Sequence, residues 1–231
     1  IGGLLEWLRA ARITIYHSTL PIYRSVVHAM AARGERLDAI RALALGGDFI
    51  YRSDVELYRA HFAPHCRLIN AYGATESSSA LLNVCDQGSP VAGNVLPLGF
   101  PVEDTEVYLA DGGGRPLTGE AEGEITLRSE FIAPGYWRRP KGEAERFRPD
   151  PEGGGKQIYA TGDIGRRLTD GSILLLGRKD FQVKIDGMRV ELGEVEGTLR
   201  RYPDVRDAVV LAREAAPGER YLAAYVVWRG A

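Results

Sequence analysis

The sequence contains little of what disulfide-stabilised, metal-rich or membrane-embedded proteins need. Cys66 and Cys85 are the only cysteines among 231 residues, which is too few for a disulfide framework, and they lack metal-ligand spacing. The four histidines are scattered, and no apolar run reaches the length needed to cross a bilayer. These features favour a reducing, cytoplasmic compartment and argue against a membrane partner.

An excess of charge of one sign is also missing. The chain has 29 basic and 31 acidic residues, which gives a net charge of −2. Nucleic-acid-binding domains usually carry clustered Lys and Arg, so nucleic acid is not an expected partner. A composition with 45% hydrophobic and 26% charged residues is typical of a globular protein that buries a core.

The first third of the chain alternates strand and helix patterns. Strand patterns lie at residues 13–16, 40–45 and 67–71, and helix patterns lie at 21–33 and 53–62. This alternation predicts an α/β fold with a doubly wound parallel sheet. Ligands bind beyond the carboxyl ends of strands in such sheets, so the segments that follow the second and third strands should border one crevice.

The rest of the chain contains two regions with different secondary-structure patterns. From about residue 96 to 177 it is rich in strands and turns, which predicts a β-rich subdomain. A helix pattern at 191–202, followed by strand patterns at 205–213 and 221–228, is typical of the opening of a small α+β domain. The chain starts without Met and looks cut at both ends, so we interpret it as a piece of a longer protein.

Four motifs follow one another along the chain. They are residues 70–76 (NAYGATE), the pair 123–125 (GEI) and 134–137 (PGYW), residues 159–163 (YATGD), and the long run 177–196. Taken singly, each has an ordinary alternative. The first could be a turn with a capping Thr, the third a common Gly-Asp turn, and the start of the last a solvated linker.

In this order and spacing, the motifs resemble the adenylate-forming superfamily of acyl-CoA synthetases, luciferases and nonribosomal peptide synthetase adenylation domains. The last run is most similar to the peptide synthetase branch, and the resemblance spans nearly the whole chain. It implies that residues 1–179 are the C-terminal portion of a large core domain and that 180–231 begin a small mobile domain. The superfamily's phosphate loop and late lysine would lie outside this sequence, so the fragment alone should be inactive.

The resemblance implies that a carboxylate attacks the α-phosphate of ATP, forming an acyl adenylate and releasing pyrophosphate. Two anions must approach each other, so charge has to be neutralised, usually by Mg²⁺. The implied roles are Mg²⁺ ligand for Glu76 and hydrogen-bond donor to phosphate for Thr75. The alternative for this pair is a helix cap.

The resemblance also implies a nucleotide site. Tyr72 would pack its ring on adenine, and Asp163 and Arg178 would bind the ribose. The backbone around the adenine would come from Gly46, Gly47, Ala71 and Gly73. The alternatives are an ordinary core tyrosine for Tyr72 and a surface salt bridge for Arg178.

A second reaction, transfer of the acyl group to the phosphopantetheine thiol of a carrier protein, follows from the same resemblance. Asp180 occupies the hinge position, and Lys184 would enter the active site for this step, although a solvated strand lysine is an equal alternative. The resemblance also allows a small accessory protein as a partner.

The acyl pocket is expected to be mostly apolar and of small to medium size. Its predicted lining residues, most of which could instead be plain core, are Ser18, Leu43, Leu45, Ala71, Ser79 and Ala80. An amino acid is the expected substrate, but aryl and fatty acids stay open because the residue that would bind an ammonium group lies upstream. Two other readings also stay open: a stand-alone acyl-CoA or aryl-acid ligase, and a degenerate non-catalytic scaffold.

Overall fold

A computed structural model describes residues 2–138, 146–179, 182–185, 188–216 and 218–230. The chain divides into two compact units, Ile1–Gly177 and Arg178–Ala231. The helices are α1 (Gly2–Ala10), α2 (Leu20–Arg33), α3 (Arg52–His61) and α4 (Leu192–Arg200). The strands are β1 (Ile15–Thr19), β2 (Ala42–Gly46), β3 (Arg67–Ala74), β4 (Ser78–Cys85), β5 (Phe100–Pro101), β6 (Glu106–Ala110), β7 (Glu122–Ser129), β8 (Phe147–Pro149), β9 (Gln157–Arg167), β10 (Ile173–Arg178), β11 (Gln182–Ile185), β12 (Met188–Glu191), β13 (Val205–Ala216) and β14 (Glu219–Trp228).

The first sheet has the order β1-β2-β3-β4-β5. β1, β2 and β3 are parallel and connected through helices, which confirms the predicted α/β class. The sheet is mixed, however, because β3 runs three residues beyond the predicted strand, as far as Ala74, and the chain then returns as antiparallel β4. The segment that follows the third predicted strand is therefore the tip of a hairpin.

Helix α2 buries one face against this sheet. Its fully buried side chains include Tyr23, Val27 and Met30, and they share a hydrophobic cluster with Leu43 of β2. Burying a side chain of this size stabilises a fold by about 1.5–3 kcal/mol. The helix ends at Gly34, whose φ of 63° is the left-handed conformation that glycine adopts without steric cost.

The loop after β2 is held by a buried ion pair. Arg24 of α2 donates two hydrogen bonds of 2.8 Å to the carboxylate of Asp54 and one of 3.1 Å to the carbonyl of Phe49. Asp54 also accepts the backbone N–H of Tyr51 at 2.8 Å, which begins α3. The Asp54 side chain is only 3% exposed, so this carboxylate depends on its partners.

The second sheet has the order β10-β9-β7-β6, with β8 paired to β9. Its core contains Leu109, Ile125, Phe147 and Tyr159, which form a second hydrophobic cluster. The two sheets meet at Ile173, which exchanges backbone hydrogen bonds with the segment before β5. Both sheets belong to the first unit, and the site described below lies between them.

The second unit contains two antiparallel strand pairs, β11–β12 and β13–β14, and the helix α4. Leu192, Ala208 and Val210 are its buried apolar side chains within the described ranges, together with Val205. The helix and the last two strands confirm the elements predicted at 191–202, 205–213 and 221–228. In the described part of the chain, no helix combines the length and hydrophobicity of a membrane span.

Candidate functional site

The tip of the β3–β4 hairpin carries the residues of the first motif. The turn closes with a hydrogen bond of 3.1 Å from the Ser77 N–H to the Ala74 carbonyl, leaving Thr75 exposed and Glu76 half-buried. A Cβ on Gly73 would collide with the backbone carbonyl of Ser78, so only glycine allows the two strands to approach here. The hairpin therefore presents a hydroxyl and a carboxylate side by side.

Tyr72 and Asp163, which lie 91 residues apart in the sequence, are in direct contact. The Tyr72 hydroxyl donates a hydrogen bond of 2.6 Å to Oδ2 of Asp163. Burial, followed by the nearby Asp163 carboxylate, raises the pKa of Tyr72 well above its usual value. An aromatic ring and a carboxylate from two different motifs thus form one surface.

A bulge in β9 places Asp163 on this surface. Residues 161–163 of β9 face the single residue Ile125 of β7, because the pairing register shifts there. The hydroxyl of Thr161 donates to the Ile125 carbonyl at 2.8 Å and accepts the Asp163 N–H at 3.0 Å. Gly162 has a φ of 78° and donates its N–H to Glu124 Oε1 at 2.9 Å. Bulges of this kind re-aim a side chain, in this case Asp163.

Glu76 is held from two directions, by Tyr136 of the PGYW segment and by Ala133 just before it. The Tyr136 hydroxyl donates a hydrogen bond of 2.6 Å to Glu76 Oε1, and the Ala133 N–H donates one of 2.8 Å to the Glu76 carbonyl. Burial, and then the hydrogen bond with Glu76, raises the pKa of the Tyr136 hydroxyl. Both motifs were identified from the sequence, but no role was predicted for Tyr136 or Glu124, because their hydrogen-bond partners lie far away in the chain.

The backbone predicted to surround the adenine is also assembled. Gly46 of β2 lies opposite Ala71 of β3, and a Cβ on Gly46 would come within 2.5 Å of the Ala71 carbonyl. Gly47 follows with a φ of 91°, in the region that favours glycine. Because Tyr72 comes directly after Ala71, these residues line one end of the sheet.

Besides Ala71, the residues predicted for the acyl pocket fall into three environments. Ser18, Leu43 and Leu45 are buried on the helix-packed face of the first sheet. Ala80 is fully buried in the second hydrophobic cluster, and Ser79 is exposed. The pocket stays a prediction, and its members do not share one cluster.

Three other predicted residues lie at or beyond the end of the first unit. Arg178 is the last residue of β10 and the first of the second unit. Lys184 lies in β11, where its backbone is paired with Arg189 of β12. Asp180 lies outside the described residues. The roles assigned to these three residues stay predictions.

The hairpin tip is chemically suited to Mg²⁺. The described residues contain no group of three or more His, Cys, Asp or Glu side chains that could hold a metal ion. Mg²⁺ does not require such a group, because it commonly keeps several waters and binds through one or two carboxylates and the phosphates of a substrate. The Glu76 carboxylate, next to the Thr75 hydroxyl, matches that requirement.

Several known proteins are similar to this chain. A family model for AMP-binding enzymes matches residues 2–137. Tyrocidine synthase 3 of Brevibacillus parabrevis is 34% identical over 228 residues, covering 98% of this chain and 4% of that protein. A dimodular nonribosomal peptide synthase of Bacillus subtilis (strain 168) is 37% identical over 230 residues, covering 97% and 9%. The chain therefore spans only 4% and 9% of the lengths of these two relatives.

Solved structures give the same result. An NRPS protein containing adenylation and PCP domains, bound to a vinylsulfonamide inhibitor, has a TM-score of 0.84 and 27% identity, covering 99% of this chain and 39% of that one. An artificially fused adenylation–PCP di-domain from Klebsiella oxytoca, at 24% identity and a TM-score of 0.81, shares the fold. The chain therefore belongs to the AMP-binding enzyme family of the adenylate-forming superfamily, together with adenylation domains of nonribosomal peptide synthetases.

Proposed function

We propose that this chain, within its full-length protein, uses ATP to activate a carboxylic acid as an acyl adenylate and then passes the acyl group to a carrier-bound phosphopantetheine thiol. The observation that carries the proposal is the contact between Tyr72 and Asp163. A nucleoside needs a flat apolar surface for its base and acceptors for its two ribose hydroxyls. A carboxylate can accept several hydrogen bonds at once, so Asp163 can bind the ribose while it holds Tyr72.

The hairpin tip would act on the phosphates. The Thr75 hydroxyl is exposed and can donate a hydrogen bond to a phosphate oxygen. Glu76 would hold Mg²⁺, which neutralises phosphate charge when bound. With the nucleoside fixed by Tyr72 and Asp163, the attacking carboxylate and the α-phosphate are brought into line, which is where the rate gain from positioning arises.

An amino acid as substrate and a carrier protein as acceptor are the finer parts of the proposal. They are supported by the peptide synthases among the relatives and by the neighbouring structure that contains adenylation and PCP domains. In this proposal, Arg178 assists ribose binding, Asp180 is the hinge and Lys184 serves the transfer step. Residues 1–179 and 180–231 would be the core and mobile parts.

The last part of the proposal concerns the cellular compartment in which the protein acts. Cys66 and Cys85 are both free and buried. Free thiols are usual in proteins of reducing compartments, so we assign the reaction to the cytoplasm.

The test is ATP–pyrophosphate exchange by the full-length protein with a panel of amino, aryl and fatty acids. We expect exchange with one or a few related amino acids, and a loss of more than about 100-fold in Asp163→Ala, because removing an interaction that positions the substrate lowers kcat/KM. Exchange with none of the acids would favour a non-catalytic scaffold. Thioester formation on free coenzyme A, with none on a carrier, would favour a stand-alone ligase.

A further inference from the structure

The Tyr136 hydroxyl is directed at the carboxylate that the proposed reaction uses. It lies 2.6 Å from Glu76 Oε1, a short distance typical of a hydrogen bond to a charged acceptor. The proposed reaction assigns no role to the segment that contains Tyr136. A tyrosine hydroxyl is protonated at neutral pH and can donate this hydrogen bond.

The position of this hydroxyl is fixed by the surrounding structure. Gly135 adopts a φ of 143°, which other residues rarely reach, and so turns the chain toward the hairpin. The Tyr136 ring packs edge-on against Phe147, with ring centroids 5.1 Å apart at an angle of 84°. Phe147 packs in turn on Tyr159, at 4.9 Å, and that residue is 1% exposed. The hydroxyl therefore projects from a packed aromatic row and not from a free loop.

We propose that Tyr136 is a positioning residue that holds the Glu76 carboxylate in the orientation required for Mg²⁺·nucleotide binding. This inference rests on the proposed function and deepens it. A glutamate side chain has several rotatable bonds, and an unrestrained carboxylate loses that freedom when it binds an ion. The Ala133 N–H fixes the Glu76 backbone and Tyr136 fixes one carboxylate oxygen, so most of that ordering precedes binding.

The expected magnitude follows from the chemistry of metal sites. Groups that orient a metal-binding carboxylate typically contribute 10- to 100-fold to metal affinity or activity. Tyr136→Phe removes only the hydroxyl and keeps the ring that packs on Phe147. We therefore expect about 10-fold weaker binding of the nucleotide in the presence of Mg²⁺, and unchanged binding without Mg²⁺.

The experiment measures binding of α,β-methylene-ATP, which cannot release pyrophosphate, to the full-length protein by calorimetry with and without Mg²⁺. The matched control is Tyr23→Phe, which also removes a buried tyrosine hydroxyl, one that donates to the Asp54 carbonyl at 2.7 Å. It should leave the Mg²⁺ dependence of binding unchanged. In a Glu76→Gln background, Tyr136→Phe should have less than about a twofold effect, because both changes act through one carboxylate.

Each outcome decides the matter. A Tyr136→Phe protein with the Mg²⁺ dependence of the wild type overturns the positioning role and leaves the proposed function intact. A wild-type protein whose nucleotide binding ignores Mg²⁺ overturns the role of Glu76 and this inference together. If Tyr136→Phe melts below the assay temperature, Gly135→Ala provides the same test, because it keeps the hydroxyl but strains the turn that directs it. Wild-type Mg²⁺ dependence in that variant also overturns the inference.

Discussion

Thr161→Val is the substitution that tests the bulge most directly. The two side chains have nearly the same shape, but valine lacks the hydroxyl that donates to the Ile125 carbonyl and accepts the Asp163 N–H. Thr161 is 3% exposed, so water cannot easily replace either bond. An unsatisfied buried polar group costs about 1–3 kcal/mol, so two such groups predict a loss of about 2–6 kcal/mol.

Thr161→Ser is the matched control for this substitution. It keeps the hydroxyl and removes one methyl group, which should cost about 1 kcal/mol. The assay is thermal unfolding of the full-length protein, combined with the KM for ATP in pyrophosphate exchange. We expect a markedly lower Tm and a KM raised about 10-fold in the valine variant, because Asp163 would lose the orientation that the proposed ribose binding requires. Equal behaviour of the two variants would refute the role of the bulge.

Three further predictions concern other parts of the chain. Asp54→Ala should destabilise the protein by about 3–5 kcal/mol, because it leaves Arg24 buried without its carboxylate, whereas Asp38→Ala, at an exposed pair, should cost less than about 1 kcal/mol in chemical denaturation. Burial raises the pKa of Tyr58 from 10 to about 12, so the unfolded chain loses this proton first and Tm should fall between pH 10 and 12; Tyr58→Phe should flatten that fall. Lys184→Ala should slow thioester formation more than exchange, and equal losses in the two assays would contradict a role limited to transfer.

Much of the α/β architecture could be predicted from local patterns. The strand around residues 40–45 and the helix at 191–202 are each encoded by a short run with its own periodicity. The helix α2 was also predictable, since Pro21 and Gly34 mark its two ends. In these elements, the tertiary packing is compatible with the secondary structure that the local residues favour.

The hairpin and the bulge could not be predicted in the same way. The turn into β4 depends on the close approach of Gly73 to Ser78, and the shape of β9 depends on its pairing with Ile125. Both are contacts between separate strands, and neither leaves a periodic signal. Motif resemblance pointed to Tyr72 and Asp163, but only the structure shows that they form a hydrogen bond.

The three-against-one pairing at residues 161–163 limits how the chain can change in length. Side chains in a strand alternate between the two faces, so deleting one residue just before Asp163 would turn its carboxylate toward the opposite face of the sheet. Point changes at exposed positions of β9 would leave that direction intact. Relatives of this protein should accordingly tolerate substitutions along β9 far better than insertions or deletions. Engineered chimaeras should place their junctions outside this strand.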